Sequence, residues 1–219
     1  TDLGTERLGI LAHEQRNLLT TAMLARTSIK SGRVPAAGST GMVLDRCLVG
    51  LRDLLDRSLA EVRLSAGINR VERISIGELI EESEISGNLQ AEVRGIHFAI
   101  TSVDRTVTVE GDRQILAAAI TNLLQNAFKF TREGSLVSLT ARATTDRVFV
   151  DIEDECGGLP PGKSEELFRP FEQRGGNRSG VGLGLSLCLE AARSSAGDLH
   201  VRDLPGKGCV FTLDLPRIA

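Results

Sequence analysis

Three separated segments of this chain carry residue types suited to holding a phosphorylated ligand. The first is Asn122-Leu-Leu-Gln-Asn126-Ala-Phe-Lys129. Asn122 and Asn126 are four apart and share a helix face, and Lys129, three further on, stays on that side. The rest of the stretch is apolar: Ile115, Leu116, Ala119, Ile120, Leu123 and Leu124. Two amides on the edge of a buried stripe need partners, since an unpaired buried amide costs about 1–3 kcal/mol. Amide oxygens are hard ligands suited to Mg²⁺, which makes Asn126 a candidate metal ligand. Lys129 supplies a point charge for a phosphate oxygen. Taken alone, the same residues read more readily as helix capping and a surface lysine.

The second segment, Asp154-Glu-Cys-Gly-Gly158, follows the strand-like run Val148-Phe-Val-Asp-Ile152. A lone carboxylate at a strand end is usually a turn residue. The third, Arg178-Ser-Gly180-Val-Gly182-Leu-Gly184-Leu185, leads into a helix expected to start near Val181. Helix amino termini present free N–H groups and partial positive charge, which suits phosphates. No Gly-Lys-Ser/Thr follows, as a P-loop would need. Nor does a strand directly precede it, as a dinucleotide fold would require.

A fourth feature is the patch His13-Glu14-Gln-Arg16-Asn17. His13 falls mid-helix and off the apolar seam, so it faces solvent among polar neighbours. By itself such a surface histidine usually carries no function. His97 and His200 lie in strand candidates and read as structural.

These residues must be positioned by two different architectures. Residues 3–30 read as one helix, with Leu8, Leu11, Leu18, Ala22, Ala25 and Ile29 on a 3/4 spacing and Gln15 in the intervening slot. Residues 31–41, rich in Gly, Ser and Pro, read as a loop. A second helix over about 42–66 repeats the spacing with Leu44, Leu48, Leu51, Leu55, Ser58, Val62 and Ser65. Two helices with narrow apolar stripes are too thin for a core of their own. A second copy would bury both stripes in a four-helix bundle, so a homodimer is expected. Packing of the hairpin on its own following domain is the alternative.

Residues 66–70 read as a hinge, and the period changes after it. Strands are expected at Arg73–Ile76, Ile96–Val103, Thr106–Glu110, Leu136–Ala143, Arg147–Glu153, Leu199–Asp203 and Cys209–Leu215, and helices at Gly77–Val93, Asp112–Phe130 and Val181–Ser195. Residues 155–180 read as irregular. The expected class is α+β: a helical hairpin at 1–66, a hinge at 67–72, and an α/β sandwich at 73–219 with a mixed sheet covered by helices on one face.

Composition removes several classes. A formal charge of −3 offers no basic field for nucleic acid. Seven Phe with no Trp or Tyr argue against a stacking platform for single strands. Apolar runs are too short to span a membrane, and residues 1–10 lack a signal-peptide pattern. The chain begins at Thr1 and so reads as a fragment with upstream segments, a membrane anchor among them, open. Cys47, Cys156, Cys188 and Cys209 match no zinc spacing and read as reduced thiols of a cytoplasmic protein.

In their order, these segments resemble the catalytic core of sensor histidine kinases. The resemblance runs from Leu11 to Pro216. His13-Glu-Gln-Arg-Asn17 is similar to the family's histidine box, and Leu167-Phe-Arg-Pro-Phe-Glu-Gln173 to its phenylalanine box. The resemblance implies ATP and Mg²⁺ as cofactors. Asp154 would accept a hydrogen bond from the adenine amino group, with Gly158 allowing close approach. Asn122, Asn126, Lys129, Arg178, Gly180, Gly182, Gly184 and Leu185 would hold the nucleotide, Asn126 through the metal.

His13 would receive the γ-phosphoryl group and pass it to an aspartate of a response regulator. Glu14 would take the proton of the other ring nitrogen, and Glu14 with Asn17 would orient water for a phosphatase reaction. Three positions depart from the pattern. Cys156 replaces the first glycine of the acidic turn, Leu18 replaces a proline that would bend the first helix, and Gln15 stands where an apolar residue is usual. Two alternatives stay open: a dimeric scaffold that binds nucleotide without transfer, and another ATPase of the same superfamily, which would lack the phosphoacceptor hairpin.

Overall fold

The computed structural model describes residues 17–32, 35, 38–67, 70–159, 167 and 184–218. Expectations for residues 3–16, for the phenylalanine box beyond Leu167 and for the glycine run before Gly184 lie outside these residues. The chain divides into two compact units, one through Leu59 and one from Ala60.

In the first unit, residues 17–30 are helical (α1). Thr21 and Thr27 send their hydroxyls back to the carbonyls of Asn17 and Met23, at 2.9 and 2.7 Å. Gly32, at φ 69°, closes the helix by donating to the carbonyl of Ile29 at 3.0 Å. Helix α2, Ser39–Ser65, begins three residues before the expected 42. The Gly-Ser-Thr composition that reads as loop there supplies the helix start, and Met42 N–H already bonds the Gly38 carbonyl at 3.2 Å. Ala22, Ala25 and Cys47 are buried. Gly50 admits the close approach of Leu18, whose methyl would stand 3.3 Å from a Cβ there. Leu19, Met23, Leu24, Leu48, Leu55 and Leu59 remain exposed.

In the second unit, β1 (Glu72–Ser75) pairs antiparallel with β3 (Thr108–Gly111) in a small sheet of its own. Helix α3 (Ile76–Arg94) starts on an N-cap, Ser75, and ends on Gly95 at φ 63°. Strands β2 (His97–Thr101), β4 (Leu136–Ala143), β5 (Arg147–Asp154), β7 (Gly208–Pro216) and β6 (Asp198–Leu204) form the main sheet in the order β2-β4-β5-β7-β6. Of its described pairings, only β2–β4 is parallel. A parallel pair needs a crossover, and helix α4 (Arg113–Phe130) lies within that connection.

One face of the sheet is apolar. Along β5, Val148, Val150, Ile152 and Asp154 are buried while the residues between them are half-exposed. Helices α3, α4 and α5 (Gly184–Ser194) contribute their buried residues to the same core, where Phe98 and Phe128 meet edge to face at 5.2 Å. Alternate residues of these strands carry the cross-strand pairs Arg142–Asp151 at 2.8 Å and Arg147–Asp214 at 2.7 Å, and Lys207 of the β6–β7 turn reaches Glu153 of β5 at 2.7 Å. Such exposed pairs set register more than stability. The mixed sheet with helices on one face is as the sequence predicts. No described helix is long and apolar enough to cross a membrane.

Candidate nucleotide site

Helix α4 is the organising element, and its start is fixed by Asp112. One oxygen of that carboxylate accepts the N–H groups of Gln114 and Ile115 at 3.0 and 3.2 Å. The other accepts Arg63 Nη1 at 3.2 Å and the Arg70 N–H at 3.1 Å. Asp112 thus caps the helix and ties the end of α2 and the segment after it to α4. Sequence reasoning placed Asp112 at the helix start but gave it no role.

With α4 anchored, its polar face carries Asn122, Asn126 and Lys129. Asn122 is 3% exposed, and its Nδ2 has no hydrogen-bond partner among the described residues. Asn126 and Lys129 are half-buried, the ammonium lying 5.1 Å from the Phe130 ring centroid. Gly184, the first residue of α5, completes the group. A Cβ built there would lie 3.7 Å from Asn122 Oδ1 and 3.9 Å from Asn126 Nδ2. The structure therefore brings Asn122, Asn126 and Gly184 together around a space that a side chain would fill. Leu185 packs against the core and anchors α5.

Asp154 reaches the same side of the sheet because β5 alternates. It is the last residue of the buried face and is 3% exposed. Its Oδ1 accepts the N–H groups of Cys156 and Cys209 at 3.0 and 3.2 Å. The turn after it takes positive φ at Gly157 (93°) and Gly158 (98°). Cys156 is spared that strain: among the described residues only Ala196 is a non-glycine at positive φ. The neighbour crowding Gly158 is the protein itself, since a Cβ there would lie 3.0 Å from Asp203 Oδ1.

That turn is stitched to the β6–β7 turn. Gly157 N–H donates to Lys207 O at 3.1 Å, Gly206 N–H to Gly157 O at 3.1 Å, and Leu159 N–H to Asp203 Oδ1 at 2.7 Å. Gly208 is required by close approach, because a Cβ there would collide with the Asp154 carbonyl oxygen. Asp203 and Gly208 are supports that the sequence shows only as part of a glycine turn. Burial raises the thiol pKa of Cys156, and its hydrogen bond to Asp154 adds to the rise. Burial likewise pushes the Cys209 thiol up strongly, with Cys156 beside it.

Chemically, the site offers a buried acceptor at Asp154, an Asn122 Nδ2 with no partner among the described residues, the Asn126 amide beside it, and a cation at Lys129. That donor set fits an adenine nucleotide. Amide oxygens fit Mg²⁺ as hard ligands. His13, Glu14, Arg178, Gly180 and Gly182 lie outside the described residues, and Asn17 is exposed on α1.

Residues 111–219 match the model of the histidine kinase-, DNA gyrase B- and HSP90-like ATPases, and they belong to that family. The alginate biosynthesis sensor protein KinB of Pseudomonas aeruginosa is 31% identical over 175 residues, covering 79% of this chain and 29% of its own length. The solved catalytic domain of histidine kinase ThkA, free of nucleotide, aligns at a TM-score of 0.61 and 25% identity over 68% of this chain and 98% of that one. ThkA in complex with response regulator protein TrrA aligns at 0.62 and 21% identity over 97% of this chain and 61% of that one, a likeness of fold alone. The chain carries the catalytic core of a sensor histidine kinase. It spans under a third of the length of its relative KinB.

Proposed function

We propose that this chain is the ATP-dependent autokinase core of a two-component sensor kinase working in the cytoplasm. The observation that carries the reading is the buried Asn122 amide, whose Nδ2 has no partner among the described residues, beside Asn126 and Gly184. An orphaned amide of this kind costs about 1–3 kcal/mol until something bonds it. A ligand at this site would relieve that cost.

In this reading Asp154 accepts the adenine amino group, its carboxylate held in place by two backbone N–H groups. Asn126 holds Mg²⁺, which when bound supplies positive charge to the phosphates. Asn122 and Lys129 bind phosphate oxygens, joined by Arg178 and the backbone around Gly158, Gly180, Gly182, Gly184 and Leu185. A ring nitrogen of His13 bonds the γ-phosphorus as the bond to the bridging oxygen breaks and ADP leaves. Glu14 takes the proton of the other ring nitrogen. The phosphoryl group then passes to an aspartate of a response regulator, the kind of partner ThkA has in its solved complex. Glu14 and Asn17 would orient water for a separate phosphatase reaction, in which water takes the phosphoryl group from the partner's aspartate and inorganic phosphate leaves.

Dimerisation is supported by α2. Leu48, Leu55 and Val62 are 52%, 52% and 62% exposed on one heptad-spaced stripe. A second copy of the helices would cover it in a four-helix bundle.

Incubation with γ-labelled Mg²⁺-ATP tests the reading. The wild-type chain takes up label that is acid-labile and alkali-resistant. His13→Gln takes up none yet binds ADP as before. Undiminished labelling of the variant would move the acceptor elsewhere. Nucleotide binding without any labelling would make the chain a nucleotide-binding dimeric scaffold.

A further inference from the structure

Where the acidic turn meets β7, the structure sets two thiols against the carboxylate assigned to adenine. Cys156 Sγ and Cys209 Sγ are 3.4 Å apart. Ligand atoms of Asp154, Cys156 and Cys209 all lie within 4.8 Å of one another. We propose that these three residues form a binding site for a thiophilic divalent cation, Zn²⁺ or Cd²⁺, whose occupation withdraws Asp154 from nucleotide recognition. The second half of this rests on the role proposed for Asp154 above.

The geometry fits such an ion. With metal–sulfur bonds of about 2.3 Å, a tetrahedral centre holds its sulfurs about 3.8 Å apart. The two thiols already stand within about half an ångström of that spacing. The carboxylate oxygen must close in by a small rotation. Thiolates select borderline-soft cations over Mg²⁺, so this donor set and the amides of α4 would take different metals.

The cluster also has the support that bound metals need. Asp154 Oδ1 is oriented by two backbone N–H groups, which leaves the other oxygen to ligate. Asp154 and Cys209 are paired directly in the β5–β7 register. Two backbone bonds to the β6–β7 turn hold Cys156 close, Gly157 N–H to Lys207 O and Gly206 N–H to Gly157 O. Cys156 is half-exposed and gives the ion its way in, while the other two ligands are buried. All three residues contribute without any of the described cysteines being in a disulfide.

Binding requires no oxidant. Two sulfur–metal bonds form, two thiol protons leave to solvent, and the carboxylate and one water complete four-coordination. The Cys156 thiol, whose proton burial and the neighbouring carboxylate help it retain, stands beside Asp154. A cation would replace that proton and hold the carboxylate oxygen itself, so the adenine amino group would lose its acceptor.

The test uses the full reduced chain and Cd²⁺ alone. One equivalent is expected to produce thiolate-to-cadmium absorption, and Cys156→Gly and Cys209→Ala are each expected to lose it. ADP affinity of the cadmium-loaded chain is expected to fall by more than about tenfold, while in either variant Cd²⁺ leaves it unchanged. Absence of the absorption would overturn the site. So would absorption persisting in both variants, which would place the ion on Cys47 or Cys188. Absorption that behaves as expected with ADP affinity unaffected would overturn the competition. Metal-free Asp154→Asn separates the two readings: if it binds ADP normally, the adenine role of Asp154 fails independently of the metal site.

Discussion

Replacing Gly184 with alanine separates folding from nucleotide binding. The added Cβ would sit 3.7 Å from Asn122 Oδ1 and 3.9 Å from Asn126 Nδ2, both ordinary van der Waals distances. It therefore meets no clash. Alanine is also the better helix former, by up to about 1 kcal/mol in a helix interior. At the first position of α5 the gain is smaller, so stability should hold or rise slightly. The methyl would, however, occupy the space in front of both amides. Loss of one hydrogen bond to a charged group costs about 1.5–3 kcal/mol, which corresponds to a drop of about 10- to 150-fold in affinity for Mg²⁺-ADP. Calorimetric titration gives the affinity, and urea unfolding gives the stability. Wild-type affinity at wild-type stability would refute the placement of the ligand between α4 and α5. Lost stability would refute the claim that the methyl fits.

Other perturbations reach the supports of the site. Asp112→Ala removes the cap of α4 and the acceptor for Arg63 and Arg70. Urea unfolding should show a loss of about 2–4 kcal/mol without a change in slope. Gly208→Ala drives a methyl into the Asp154 carbonyl. It should destabilise by about 1–3 kcal/mol and weaken ADP binding in the same calorimetric assay, whereas normal binding would dissociate β7 from the site. Leu55→Glu places a charge on the exposed stripe of α2. Light scattering should report a monomer where the wild type is a dimer, with ADP affinity unchanged.

How much of this was legible in the sequence depends on the range of the interaction. Helix α4 was, because its apolar period and its two asparagines are local and its cap, Asp112, directly precedes it. Strands β4 and β5 were, because their alternation is strict. The start of α3 slipped by one residue, since Ile76 reads as strand until Ser75 is seen to cap the helix through Glu78 N–H. Separation of β1 and β3 into their own sheet was not legible: each is four residues long and their partnership is non-local.

The same reasoning divides the site. The amides and Asp154 announce themselves by type and spacing. The relief of Cys156 by Gly157 was foreseeable from two adjacent glycines. The bond from Leu159 N–H to Asp203 and the meeting of Cys156 with Cys209 join residues far apart in the chain. Only the β5–β7–β6 pairing brings them together. Spacing rules for metal-binding cysteines look for near neighbours and so pass over a pair assembled by a sheet.

The central claim is that the α4 amides receive a nucleotide. Side-chain amide resonances of Asn122 and Asn126, assigned by substitution and followed by NMR during addition of Mg²⁺-ADP, test it most directly. The account predicts that both pairs of signals shift in proportion to saturation, with Asn122 gaining protection from solvent exchange. Signals that stay in place while ADP binds would contradict it.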